Sequence, residues 1–316
     1  MQTVSPVQKL GRLRIRHMRI LIAIYRNRSI RSVASHLCIS PTAVSKTLAE
    51  IETLAGRKLF ERTSNGMVPT DLLREIVGEI ETTVSQYERL TELFESRIAG
   101  TTGDLTIAIK TISARHFLQN ALPAFCEAFP NVGITMREGP ISDLVEDLSQ
   151  GRLDFLVTYD QPILNSAQFA RLKIADGQKL VIIAGKNHRL VGDKITSFER
   201  LLDNKWCIPD RTARFHHHVE RLFFKHGHAL PKTAVHCSDF IIISQLVKSA
   251  NYLAAAPQRS ILDDRMAPAI AALDFDTGET VEPVSVTWSQ NLIMRPSASQ
   301  FLAYLRLWKA TRPAPD

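Results

Sequence analysis

The sequence predicts an α/β chain in three parts: a small helical head with a basic hairpin, one long connecting helix, and a larger region of alternating strands and helices. Three observations carry this. The chain has 316 residues, more than one ordinary core organises. Positive charge is concentrated at the start. Residues 1–64 hold twelve lysines and arginines against three glutamates, nine net positive charges, whereas the whole chain carries +7, so the remainder is two net negative. Apolar spacing also changes near Gly103, from helical periodicity to short apolar runs that alternate with helical segments. The composition, 45% hydrophobic and 22% charged, is that of a globular protein.

In the head, IRHMRILIAIYRNR places Ile15, Met18, Leu21, Ile22 and Tyr25 on one helical face, until Asn27 to Ser29 interrupt it. SIRSVASHL follows, with Ser29 as N-cap and Ile30, Val33, Ala34 and Leu37 inward. After the three-residue connection CIS, PTAVSKTLAEIETLAG starts a third helix. Ser40 caps it, and Pro41 sits at the first helical position, where a missing N–H has no intrahelical acceptor to lose. Val44, Leu48 and Ile51 form its buried stripe, and Gly56 ends it. RKLFERTSNGMVPT then reads as two short strands joined at Ser64-Asn65-Gly66. Two helices joined by a short turn, followed by a basic hairpin, describe a winged helix-turn-helix.

From Asp71 to about Ile98 the pattern is helical and long. Leu73, Val77, Ile80, Val84, Tyr87, Thr91 and Phe94 alternate spacings of four and three, an a/d seam that predicts a dimerising linker helix. AGTTG (residues 99–103) is a hinge. Beyond it DLTIAIK, VGITMRE, LDFLVTY, KLVIIAG, KWCIP, TAVHC and YLAAAP read as strands. RHFLQNALPAFCEAFP, SDLVEDLSQG, VERLFFKHG and a segment from about Phe240 read as helices. This order predicts mostly parallel sheets.

Composition and motifs also exclude. The longest apolar run near the N-terminus, ILIAIY, falls far short of the roughly 20 residues of a membrane span. No apolar core with a small-residue cleavage site follows the basic start, so a cytoplasmic protein without signal peptide is expected. Cys38, Cys126, Cys207 and Cys237 show no CxxC spacing and read as reduced thiols. No P-loop, G-x-S-x-G, H-E-x-x-H or G-x-G-x-x-G occurs, so no enzyme, catalytic residue or cofactor is expected. HHHVERLFFKHGHALPKTAVHC (residues 216–237) is rich in histidine. Successive helical residues point about 100° apart, so three adjacent histidines cannot share one ion; no metal is assigned, and a hydrophilic or pH-sensitive helix start is preferred. A basic head on a near-neutral body is the footprint of a polyanion binder. The competing reading is an α/β ligand-binding or enzymatic domain whose head binds nucleic acid without specificity.

The segment RHMRILIAIYRNRSIRSVASHLCISPTAVSKTLAEIETLAGRKLFERTSNGMVPT resembles the N-terminal domain of the LysR-type transcriptional regulators. Ala34, the Ser-Pro-Thr-Ala-Val-Ser start of the third helix, Gly56 and LFERT carry the likeness. It continues through ALPAFCEAFPNVGITMREG and LSQGRLDFLVTY, and NKWCIPD is similar to a later strand, so it spans essentially the whole chain. The resemblance implies a winged helix-turn-helix DNA-binding domain over 1–70 and a linker and dimerisation helix with hinge over 71–100. It implies an effector-binding domain over 101–316, built like a periplasmic binding protein. Subdomain one would take about 103–174 plus 281–316, and subdomain two about 175–280. A homodimer or homotetramer on double-stranded promoter DNA is implied, with RNA polymerase as a further partner and a small-molecule effector between the subdomains.

On this pattern the third helix enters the major groove. Thr42 offers a hydroxyl and a methyl to base edges, and Ser45 reaches base or phosphate. Lys46 stands where arginine is common in the family and supplies a point charge without the bidentate fork. Pro41-Thr42 replaces a frequent Gln-Pro, so the operator preference of Gln-bearing members does not transfer. Arg31 and Arg62 are expected on phosphates, and Asn65 at the wing tip, where relatives carry arginine. The effector is expected at βα loops: Thr111, Ile112 and Ser113 after the first strand, Gly139 and Pro140 after the second with Ser142 as helix cap, and Tyr159 after the third. Pro209 and Phe240 face them from the other subdomain. A small carboxylate, aromatic or sugar-derived, suits such helix starts.

Overall fold

Local capping chemistry sets the helices of the head. The computed structural model describes residues 11–64, 66–99, 103–110, 113–211, 213–261 and 269–311. Helix α1 (Ile15–Asn27) stops at Arg28, which turns left-handed with φ 54°. Helix α2 (Ile30–His36) is capped by Ser29, whose hydroxyl accepts from the Ser32 amide. Helix α3 (Pro41–Ala55) starts with Pro41 behind Ser40, which accepts from the Ala43 amide at 3.1 Å, and it stops at Gly56 with φ 67°. Strands β1 (Phe60–Thr63) and β2 (Gly66–Pro69) pair antiparallel, with Thr63 opposite Gly66.

One apolar core joins these elements. Leu21, Ile24, Val33, Ala34, Val44, Leu48, Ile51, Leu59, Phe60 and Met67 are buried in it. The buried face of α1 is turned from the expected one: His17, Ile20, Leu21, Ile22 and Ile24 are buried, while Ile15, Met18 and Tyr25 are only partly so. The reason is that α1 touches α2 and α3 on one side and the linker helix on another. Burial lowers the pKa of His17, against the opposing pull of Glu50, which favours the neutral ring.

The linker helix α4 (Asp71–Ala99) corrects the expected seam. Leu73, Val77, Ile80 and Val84 are not offered to a partner; they are buried in the head's own core. The exposed apolar stripe keeps Tyr87 and Phe94 of the expected seam and otherwise runs through Leu72, Ile76, Leu90 and Ile98. The two stripes lie side by side and share helical spacing, which is why periodicity alone merged them.

Two larger sheets follow. In the first the order is β4-β3-β5-β13-β6, with β3 (Asp104–Ile109), β4 (Gly133–Arg137), β5 (Phe155–Tyr159), β6 (Phe169–Ala175) and β13 (Val284–Ser289). In the second it is β11-β7-β10-β8-β9, with β7 (Gln178–Gly185), β8 (Lys205–Ile208), β9 (Val235–His236), β10 (Tyr252–Pro257) and β11 (Ile270–Ala272); β12 (Thr280–Val281) adds to β7. The expectation of mostly parallel sheets does not hold. β3 is parallel to β4 and β5, and β8 to β9 and β10, but β13 runs antiparallel to β5 and β6, and β7 antiparallel to β10, β11 and β12. The antiparallel strands flank the two places where the chain crosses between sheets, at 176–177 and 282–283. Helices α5 (Ser113–Ala128), α6 (Ile141–Ser149), α7 (Glu199–Leu202), α8 (Arg214–Lys225), α9 (Phe240–Ser249) and α10 (Pro296–Thr311) cover the sheets. A shared core, including Phe125, Phe155, Trp206, Phe223 and Phe301, runs through both.

Candidate functional site

The head presents a polar, basic surface where α3 begins. Pro41, Thr42 and Lys46 are exposed, Ser45 is half-buried, and Arg31 on α2 and Arg62 on β1 are exposed. The turn before α3 is held tightly: Cys38 is left-handed with φ 53°, and the Ile39 amide bonds the Ala34 carbonyl at 3.0 Å. Asn65 lies outside the described residues. Not all of the head's positive charge is free. Arg19 pairs with Glu88 at 3.1 Å, Arg26 with Glu81 at 2.8 Å, and Lys58 with Glu52 at 2.6 Å.

Two groups place the wing, the first of which sequence reasoning passed over. Glu52, 8% exposed near the end of α3, accepts from the Leu59 amide at 2.9 Å and the Phe60 amide at 3.4 Å. Burial opposes ionisation of this carboxyl, but the Lys58 and backbone hydrogen bonds outweigh it, so its pKa lies below the ordinary value. The second is Gly66, with φ 100°. The Met67 amide bonds the Arg28 carbonyl at 2.9 Å, and a Cβ on Gly66 would fall inside the radius of that same oxygen. The wing is thereby pinned to the α1–α2 turn. Gly66 was legible as a turn residue; its contact with Arg28 had no sequence signal.

The expected effector residues fall into three groups. Thr111 and Ile112 lie outside the described residues, as does the side chain of Ser113, the first residue of α5. Gly139 and Pro140 precede α6; Pro140, not Ser142, occupies the cap position, and no side chain caps this helix. Ser142 bonds Asp143 instead, at 2.8 Å, because it lies inside the first turn. Tyr159 is 4% exposed at the end of β5, next to Asp160, whose amide bonds the Pro283 carbonyl at the return crossover at 2.8 Å.

On the second sheet, Pro209 is buried, and its carbonyl lies 2.7 Å from His216 Nδ1. The Asp210 amide donates to Ser238 Oγ at 3.0 Å. Phe240, 7% exposed, opens α9, whose first amides are taken by Asp239 at 2.8 and 3.1 Å.

The histidine-rich helix has a structural part that its sequence hid. His218 Nε2 lies 2.8 Å from Glu282 at the return crossover, and Arg221 Nη2 lies 3.1 Å from His218 Nδ1. Arginine only donates, so Nδ1 accepts, and Nε2–H donates to Glu282. The ring is therefore neutral, in keeping with a pKa lowered first by burial, with Arg221 adding to it and Glu282 opposing. Arg214 holds the same carboxylate at 2.8 Å, so α8 is clamped to the crossover. Among the described residues no group of three or more histidine, cysteine or acidic side chains is arranged to hold a metal. Cys207 is buried, and desolvation with a smaller contribution from Cys237 pushes its thiol up to about 11, unsuited to ready attack as thiolate. No described helix is long and apolar enough to cross a membrane.

Comparison with known proteins matches both halves. Residues 15–72 match the family described as bacterial regulatory helix-turn-helix protein, lysR family, and residues 99–309 match the LysR substrate binding domain. The chain is similar to the HTH-type transcriptional regulator GalR of Pseudomonas putida, 22% identical over 92% of this chain and 73% of the relative. It is also similar to GbpR of Azospirillum brasilense, 22% identical over 96% of this chain and 88% of the relative. Among solved structures, CbnR in complex with its target DNA aligns with TM-score 0.65 at 19% identity, covering 93% of this chain and 99% of that one. A full-length cysteine-to-aspartate variant of OxyR from Pseudomonas aeruginosa aligns with TM-score 0.68 at 18% identity, covering 93% and 95%. With the substrate-domain match spanning more than half of its length and the helix-turn-helix match preceding it, this chain belongs to the LysR family of DNA-binding transcriptional regulators.

Proposed function

We propose that the protein binds promoter DNA as a homodimer or homotetramer and that a small carboxylate held between the two α/β subdomains modulates this binding. The reading rests most on the start of α3, where Pro41, Thr42 and Lys46 stand exposed beside Arg31 and Arg62 on a fixed turn. Thr42, Ser45 and Lys46 read the groove, Arg31, Arg62 and the Asn65 tip hold the backbone, and Pro41 sets the helix start. The exposed stripe of Leu72, Ile76, Tyr87, Leu90, Phe94 and Ile98 suits pairing between linker helices.

For the effector, Thr111, Ile112, Ser113, Gly139, Pro140, Tyr159, Pro209 and Phe240 are assigned to the cleft. A carboxylate is favoured because α6 and α8 begin without a side-chain cap, leaving amides for an anion, whereas Asp239 already fills the start of α9. The protein works in the cytoplasm and catalyses no reaction. A thermal-shift screen of the full chain against small aromatic and sugar-derived carboxylates, each beside its neutral amide or alcohol, tests the assignment. A ligand at 100 times its Kd adds about 2.7 kcal/mol. Shifts confined to carboxylates, and lost in Thr111→Ala, are expected; equal shifts by the neutral analogues contradict the class.

A further inference from the structure

The linker helix changes its means of attachment halfway along. Up to Val84 it is held by apolar burial, with Leu73, Val77, Ile80 and Val84 sealed into the head's core. From Glu81 onward hydrogen bonds and ion pairs tie it to the effector domain. Ser85 Oγ donates to the Gly151 carbonyl at 3.0 Å, and Gln86 bonds the Asn291 carbonyl at 3.2 Å and the Ile293 amide at 3.0 Å. Arg89, 3% exposed, donates to the carbonyls of Gly151 at 2.8 Å and Ile293 at 3.0 Å. It also pairs with Asp154 at 2.8 Å, with the two side chains 4% and 1% exposed. A second pair lies alongside: Arg295 stands 3.3 Å from Glu92 and 3.8 Å from Asp154. One carboxylate then spans all three parts of the chain. Glu81 of α4 pairs with Arg26 of the head and with Arg152 of the effector domain, and Arg152 also holds Asp147 at 2.6 Å.

We propose that these contacts form a releasable latch: the effector domain docks on its own linker helix through Arg89–Asp154 and Arg295–Glu92, and Glu81 transmits its position to the DNA-binding head. The physical argument lies in the surfaces. An apolar interface, once parted, exposes surface that water disfavours, whereas the linker helix meets this one through Ser85, Gln86, Arg89 and Glu92, polar side chains that water solvates when they leave. Polar interfaces between parts of one chain are those that open and close. Desolvating two arginines and two acids is costly unless their geometry is met, so the latch recognises one docked position and few others. Arg89 and Glu81 are positioning residues: they act through the contacts between parts of the chain.

The experiment measures intrachain distances in the full-length protein by pulsed dipolar spectroscopy. Spin labels at Ser35 on α2 and Ser142 on α6, both exposed, report head against effector domain. Cys38, Cys126 and Cys237 are replaced by serine, and labelled protein is diluted with unlabelled protein so that only intrachain pairs contribute. One narrow distance is expected for the parent. Arg89→Met should add a second, longer population of at least a third of the molecules, with Arg89→Lys between the two, and Glu81→Gln should broaden the main peak. Distributions for Arg89→Met and Glu81→Gln that superimpose on the parent overturn the proposal. If Arg89→Met does not fold, as judged by circular dichroism, the half-buried Gln86→Ala variant takes its place, with the same expected direction and the same refuting result.

Discussion

Replacing Glu52 by alanine removes the acceptor that holds the root of the wing, and its cost follows from the geometry. The Leu59 amide bond, at 2.9 Å to a buried carboxylate, is of the charge-assisted kind and contributes about 1.5–3 kcal/mol. The Phe60 bond, at 3.4 Å, is weak, adding about 0.5 kcal/mol. The Lys58 side chain is 77% exposed, so its contact at 2.6 Å is discounted for screening to about 0–1 kcal/mol. Glu52→Ala should therefore destabilise the head by about 3 kcal/mol, and Glu52→Gln, which keeps one oxygen, by about half that. For a domain of this size 3 kcal/mol lowers Tm by more than about 10 °C, measurable by scanning calorimetry.

The pH dependence has a definite sign. The folded carboxyl has a lowered pKa, so its extra stability is present above the ordinary value of 4.5 and is lost as pH falls through the depressed one. The gap between parent and Glu52→Gln should be full above the ordinary 4.5 and close as pH falls through the depressed value. A Glu52→Ala variant within about 0.5 kcal/mol of the parent, or a gap that ignores pH, refutes this account of the wing.

Gly66→Ala should weaken DNA binding while the rest of the head stays folded, because both its φ of 100° and the Arg28 carbonyl oppose a Cβ; unchanged affinity by fluorescence anisotropy contradicts the pinned wing. Arg62→Ala should weaken binding evenly across DNA sequences and reduce the salt slope by about 0.9 if one phosphate contact is lost. Thr42→Ala should broaden preference at one base position in an in vitro selection, by about 1 kcal/mol of lost discrimination, and an unaltered consensus rejects base reading by Thr42. The neutral, buried His218 has a lowered pKa, so its contribution to stability is present above the ordinary 6.5 and is lost as pH falls below it. His218→Gln should flatten the decline in Tm between about pH 6.5 and 5, and parallel curves for variant and parent contradict that role.

Much of the head was legible because its signals are local. Ser29, Ser40, Pro41 and Gly56 act within one turn of where they stand, and a residue's neighbours along the chain identify them. What escaped depends on distant partners. The linker stripe was misread because a helix buried on one side by the head and exposed on the other shows two apolar faces in one periodicity. The antiparallel strands β7 and β13 each follow a chain crossing, which leaves no periodic mark. Arg89 and Asp154 lie 65 positions apart in the sequence and meet only in the fold. Ser142 misled because a serine near a helix start is read as its cap, and Pro140 holds that place.

The most direct test of the account is footprinting of the purified full chain on the promoter region beside its own gene, across a salt series and with any carboxylate found by thermal shift. The account predicts a defined protected site with spaced half-sites that persists against excess unrelated DNA and whose extent changes with the carboxylate. Uniform protection without a boundary, removed by moderate salt and indifferent to every carboxylate tried, would contradict it.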